Sequence, residues 1–230
     1  MNKTFDLPLG TRFVFDREAK SLTLTSLAGL TCGHNGREDY YSCSGLAVIC
    51  ADSRRLEGRK LQYEITESGD SVFRFAAFDP EGTVRLETGW NFEPEFSLIS
   101  CRSTLINTSA EPVVIRRALP RWVFSPGDYT VHYQMNRWGA ESQMQSRPLR
   151  GGDLFLHGGA ARSTIGSAPF CILRDRENGS GAAFHVLPRG NWTIQIHADI
   201  LSNEFPSPIV ERAALPCRIR SPPRRGWLCI

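Results

Sequence analysis

The side chains best able to move protons in this sequence are five histidines, His34, His132, His157, His185 and His197, and a scatter of carboxylates. No histidine pair has the H-x-x-x-H spacing of a metal site on a helix. His132, His185 and His197 fall in β-prone runs, where an ordinary half-exposed imidazole is expected. Asp128, Glu141, Asp153, Asp175, Glu177 and Asp199 cannot be paired from spacing, and glycosidic acid–base chemistry needs two carboxylates at a set separation. There is no G-x-S-x-G elbow, no Walker loop and no G-x-G-x-x-G after a strand. Seven cysteines, at 32, 43, 50, 101, 171, 217 and 229, form no tight framework and read as reduced, mostly buried thiols. Cys32, His34, Cys43 and Cys50 lack the C-x-x-C knuckle usual in structural zinc sites. The residues therefore predict no metal, no cofactor and no active site of their own.

The polar stretch most suited to recognition is Arg162-Ser163-Thr164-Ile165-Gly166-Ser167-Ala168-Pro169-Phe170, together with Gly190-Asn191-Trp192. Two apolar runs lie between them, Phe170–Leu173 and Ala182–Leu187, separated by Asp175-Arg176-Glu177-Asn178-Gly179-Ser180. Asn-Gly between apolar runs predicts a hairpin, because both residues tolerate positive φ. Two loops rich in Gly, Ser and Arg are then held by one hairpin, an arrangement that serves recognition or plain connection.

The elements that must position these loops are strands. Thr11–Phe15 and Leu22–Thr25 are β-prone runs around a polar turn, and Leu46–Ile49 is a compact apolar run. Leu61, Tyr63 and Ile65 alternate with polar neighbours, which gives one buried face. Val72–Phe78 is apolar on both faces, as in a strand inside a sandwich. Asp79-Pro80-Glu81-Gly82 turns the chain into Thr83–Thr88. Phe96–Asn107, Val113–Arg117, Tyr129–Met135, Leu154–Leu156 and Trp192–Ala198 complete the series, the last with Ile194 and Ile196 inward and Gln195 and His197 outward. Many strands with frequent turns predict an all-β fold, one large two-sheet domain over residues 1–203.

Composition bounds the function further. With 41% hydrophobic and 22% charged residues the chain reads as an ordinary globular protein. A net charge of +3 is too small to argue for nucleic acid. No apolar run approaches a membrane span. Asp6 and Arg12 interrupt any apolar core of a leader, so a cytoplasmic location is expected. Residues 204–230 bring Pro206, Pro208, Pro216, Pro222 and Pro223 with Arg212, Arg218, Arg220, Arg224 and Arg225. Proline removes ladder donors, so this tail is expected to hold no central strand, and to be irregular or a premature end.

Several motifs recur in a fixed order: Trp138-Gly139-Ala140-Glu141, Leu149-Arg150-Gly151-Gly152, Arg162-Ser163-Thr164 with Pro169-Phe170, and Gly190-Asn191-Trp192. In this order the chain resembles the N-terminal domain of glycoside hydrolase family 36, the microbial α-galactosidases of the melibiase type, over about residues 60–200. The resemblance implies an antiparallel two-sheet β-supersandwich that precedes a (β/α)8 barrel. In the family the two aspartates that act as nucleophile and acid/base lie in that barrel. A chain of 230 residues has no room for a barrel of ~250 residues after this domain. No catalytic residue is therefore carried over, and the chain is expected to be inactive alone.

The resemblance also implies partners: an α-galactoside or other carbohydrate, the barrel, and sister subunits. Trp138 could stack on a sugar or fill a core or interface. Glu141 could accept sugar hydroxyls or stay solvated. Arg162, with Ser163 beside it, could reach a barrel or a neighbouring subunit's pocket, or fix loop carbonyls. Asn191 and Trp192 are the remaining contact candidates, with a structural role expected for both. Trp138, Met144, Phe155 and Leu156 are candidates for an apolar barrel-facing surface. The sequons at Asn107, Asn178 and Asn191 carry little weight without a secretory leader. Two readings stay open: part of a truncated glycosidase, or a stand-alone β-sandwich that binds carbohydrate or protein.

Overall fold

Period-two patterning with turn residues every few positions gives a chain of strands. The computed structural model of the protein describes residues 2–33, 46–50, 55–56, 61–137, 139–158, 166–186, 192–199, 207–213, 217–219 and 226–229. Among them there is no α-helix and one 3-10 turn, Pro94–Phe96. The strands are β1 (Asn2–Leu7), β2 (Thr11–Asp16), β3 (Ser21–Leu27), β4 (Leu30–Thr31), β5 (Leu46–Cys50), β6 (Arg55–Leu56) and β7 (Gln62–Ser68). Next come β8 (Val72–Phe78), β9 (Val84–Glu93), β10 (Leu98–Asn107), β11 (Val113–Val123), β12 (Tyr129–Arg137), β13 (Ala140–Pro148) and β14 (Gly152–Gly158). The chain closes with β15 (Gly166–Asp175), β16 (Gly181–His185), β17 (Trp192–Asp199), β18 (Ser207–Ala213), β19 (Cys217–Ile219) and β20 (Gly226–Cys229).

They form four antiparallel sheets, so the all-β antiparallel expectation holds. A meander runs β1-β2-β3-β4, and a five-stranded sheet runs β20-β10-β9-β8-β7. A larger sheet runs β14-β17-β18-β11-β5-β6, with β19 also on β11, and a four-stranded sheet runs β13-β12-β15-β16. One hydrophobic core joins all four. Phe13 of the meander stacks on Phe73 of β8 at 4.7 Å and meets Trp90 of β9 edge-on at 5.4 Å. Val131 of β12, Leu173 of β15 and Ile196 of β17 are fully buried. β8 buries Phe73, Phe75 and Ala77 on one face; on the other only Ala76 is buried and Arg74 is exposed, so the second face is covered only in part.

Turn chemistry explains the connections. Asp79 is buried; its Oδ1 accepts the Val84 amide at 2.9 Å and its Oδ2 the Thr83 hydroxyl at 2.6 Å. Gly82 supplies the positive φ of +65° that closes this turn. Asn107 is fully buried, donates from Nδ2 to the Glu111 carbonyl at 2.8 Å, and accepts from the Ser109 amide. Its sequon is therefore a turn device with the amide already engaged.

Three expectations are corrected. The strand expected from Phe96 starts at Leu98, because Phe96 sits 74% exposed in the 3-10 turn and Ser97 adopts φ +50°. In the Asn178-Gly179 hairpin only Gly179 takes positive φ, +76°. The Asp175 carboxylate carries the rest of that turn, accepting the Glu177 amide and the Asn178 side-chain amide, each at 2.8 Å. The tail, expected to hold no central strand and to be irregular or a premature end, holds β18, β19 and β20, and β18 lies between β17 and β11. Pro206, Pro216, Pro222 and Pro223 fall between these strands, and Pro208 is only the second residue of β18, so the ladder survives them.

Candidate functional site

Strand register brings together described residues next to three of the motif stretches. Asn136 of β12 lies opposite Gly166 of β15, and Gly158 of β14 lies opposite Trp192 of β17. A Cβ at Gly166, whose φ is +106°, would stand 3.0 Å from the His157 carbonyl. The ends of β12, β14, β15 and β17 that border the Trp138, Arg162 and Asn191 stretches thus meet at one end of the molecule. Buried Asn136 ties this end down, its Oδ1 accepting the Ser142 amide at 2.8 Å across the β12–β13 turn.

Of the residues singled out from sequence, Trp138, Arg162, Ser163 and Asn191 lie outside the described residues. Glu141 is exposed near the start of β13. Trp192 is 5% exposed, and its indole occupies the space a Cβ at Gly158 would need, 2.6 Å from Nε1. In the Leu149-Arg150-Gly151-Gly152 motif, Leu149 is buried, and its amide donates to the Tyr129 carbonyl at 2.9 Å. Arg150 and Arg176 flank Asp128 at 3.5 and 3.1 Å. Gly151 and Gly152 take the positive φ that leads into β14. Of the proposed apolar surface, Met144 and Phe155 are more than half exposed, but Leu156 is fully buried. Leu156 alternates with Phe155 on β14 and points into the core, so it leaves that surface.

Four concavities among the described residues differ in their lining. A 480 Å³ cavity lies among Leu27, Trp90, Cys101, Trp122, Phe184 and Ile194, with no carboxylate in its lining. Trp122 packs on Phe184 at 5.2 Å, and the buried indole N–H groups of Trp90 and Trp122 meet no acceptor among the described residues. Two shallower grooves each hold a single glutamate, Glu64 or Glu87, and a fourth holds none. None of these four concavities brings two carboxylates together. Cys101 and Cys171 are buried, and burial pushes both thiols up to about 12, so neither supplies a thiolate near neutral pH. Both are expected to resist iodoacetamide at pH 8 in the native chain and to label in urea; peptide mapping by mass spectrometry checks this. Cys32 is buried with Sγ toward the Leu30 carbonyl at 3.7 Å, and among the described residues no His, Cys, Asp and Glu cluster could hold a metal.

Spacing alone does not reveal one polar network. Asp153 Oδ1 accepts from Gln195 Nε2 and from His197 Nδ1, each at 2.9 Å. The Gln195 amide first, and the imidazole after it, hold the Asp153 carboxyl below its ordinary value. The usable signal was the alternation in β17, which places Gln195 and His197 outward. The partner at Asp153, 44 residues earlier than His197, depends on register.

Residues 23–204 match the family model described as the glycosyl hydrolase family 36 N-terminal domain. The chain belongs to that family. Its fold recurs in solved α-galactosidases. The Lactobacillus brevis enzyme is 14% identical with a TM-score of 0.71, over 99% of this chain and 38% of that one. AgaB of Geobacillus stearothermophilus is 12% identical with a TM-score of 0.72, over 99% and 39%. A variant of AgaA from the same organism, solved with raffinose, is 13% identical with a TM-score of 0.73, over 100% and 40%. No curated protein sequence matches the chain. At these identities the solved structures establish the fold of the family 36 N-terminal domain, and the chain spans about two fifths of their length.

Proposed function

We propose that this domain serves an α-galactoside-hydrolysing enzyme as its non-catalytic N-terminal β-supersandwich, working beside a (β/α)8 barrel that carries the paired carboxylates. The observation that carries this reading is the family match over residues 23–204. Raffinose and stachyose bound to AgaA variants make α-galactosides the substrate class of the whole enzyme in this reading. The barrel and sister subunits are its protein partners. The reading includes a cytoplasmic location, where buried thiols such as Cys101 and Cys171 stay reduced.

The purified 230-residue chain is expected to release no nitrophenol from an aryl α-galactoside, because retaining hydrolysis needs two carboxyl groups about 5 Å apart. Turnover that disappears on changing one of its own Asp or Glu residues would overturn the reading. The DNA downstream of the coding sequence gives an independent check. Barrel-coding sequence there, in any frame, supports a glycosidase domain, and an intergenic gap with its own terminator favours a stand-alone module.

A further inference from the structure

The outward face of β14 and β17 combines an exposed aromatic ring with a fixed set of hydrogen-bond acceptors. Register pairs Asp153 with His197, Phe155 with Gln195 and His157 with Thr193, and residues directly opposite share a face. The alternate residues Leu156, Ile194 and Ile196 are buried, so this set points away from the core. Phe155, at its centre, is 54% exposed, in a strand whose other face is packed. A bare phenyl ring on a rigid sheet presents a flat apolar platform.

The polar groups around the ring are already oriented. Gln195 directs its Nε2 to the Asp153 carboxylate, which turns its Oε1 away. His197 directs its Nδ1–H to the same oxygen, which leaves Nε2 on the far edge of the ring, outside that bond. Asp153 Oδ2 takes part in neither bond. The face thus offers two oxygen acceptors, Asp153 Oδ2 and Gln195 Oε1, and an imidazole nitrogen beside an aromatic platform, held in place by their mutual bonds. A matching ligand brings several O–H donors and an apolar C–H surface. A phosphate or sulfate would meet a carboxylate instead of a donor. A saccharide has the required chemistry: hydroxyls on its edge and C–H groups on its ring face.

We propose that this face is a saccharide-binding surface, with a hexose ring over Phe155, its hydroxyls donating to Asp153 and Gln195 and meeting the His197 imidazole. The site lies on the supersandwich itself; this reading takes Phe155 out of the surface expected to face a barrel, and its test is separate from that of the hydrolase reading. The test uses the 15N-labelled full chain, titrated with D-galactose, raffinose and D-glucose, with sodium sulfate as the anion control. Saturable shifts of the Gln195 side-chain amide and of the Phe155 and His197 backbone amides with at least one sugar, and none with sulfate, are expected. Phe155→Ala and Gln195→Leu are expected to weaken binding at least ten-fold. Both residues face outward, and an unchanged amide spectrum elsewhere verifies that each variant folds. Absence of saturable shifts up to 100 mM sugar, or equal affinity in Phe155→Ala, overturns the proposal. So does a result in which Phe155→Ala changes only self-association by light scattering, since that marks a protein interface. Neither result bears on aryl α-galactoside turnover, which tests the hydrolase reading alone.

Discussion

Replacing Phe73 with alanine is expected to lower the free energy of unfolding by about 3–5 kcal/mol, the range for truncating a buried phenylalanine. Phe73 is fully buried and ties β8 to the N-terminal meander. Its ring stacks on Phe13 at 4.7 Å and lies 5.0 Å from Phe5 and 6.1 Å from Phe75. Truncation removes its transfer energy and leaves Phe5 and Phe13 facing a void that two strand backbones cannot close. β1 and β2 reach the five-stranded sheet through these ring contacts, besides the pairing of β2 with β3. Urea unfolding followed by far-UV circular dichroism reads the effect. The control is Phe96→Ala, at a side chain 74% exposed, which should stay within about 0.5 kcal/mol of the parent. A Phe73→Ala loss below about 1 kcal/mol would show that the meander does not pack on the five-stranded sheet.

How far the sequence could be read depended on whether a strand's pairing leaves a mark on its own residues. Val72–Phe78 has the same bounds in sequence and structure, because a strand that buries Phe73, Phe75, Ala76 and Ala77 leaves a mostly apolar run between two turns. The hairpin of β15 and β16 was legible for the same reason, with its turn chemistry in Asp175 and Gly179. β13 was missed: each of its nine residues is exposed, so its pairing with β12 rests on backbone hydrogen bonds that impose no apolar period. β18 was missed because composition over the whole tail merged a short strand with its proline-bearing connections. The candidate site follows the same rule. The sequence stretch chosen for its Gly, Ser and Arg content contains Gly166, which lies where β12, β14, β15 and β17 meet, but Gly158 at the same end belongs to none of the motifs. The Asp153–Gln195–His197 network was invisible, because each member is an ordinary outward residue of its own strand. Only the register of β14 on β17 makes them neighbours.

The second large expected effect tests why the Gly-Asn-Trp motif carries its aromatic. Gly158→Ala is expected to cost about 1–3 kcal/mol, the range for overpacking a filled site. A Cβ at Gly158 would lie 2.6 Å from Trp192 Nε1 and 2.8 Å from Cε2 and Cζ2. Those atoms belong to a ring that is 5% exposed and cannot swing into solvent without leaving its packing. Gly158 is not in the left-handed region, so the cost is steric and not a backbone penalty. Gly69→Ala is the matched control: its nearest neighbour is Val72 Cγ1 at 3.9 Å, and its effect should stay within about 0.5 kcal/mol. Urea unfolding measures both, and near-UV circular dichroism reports displacement of the indole. A double-mutant cycle with Trp192→Leu isolates the contact, because removing the indole should abolish most of the Gly158→Ala cost. A full cost that persists without the indole places the clash elsewhere. A Gly158→Ala chain as stable as its parent would mean that Trp192 does not rest on this glycine, and the pairing of β14 with β17 at this end would need another explanation.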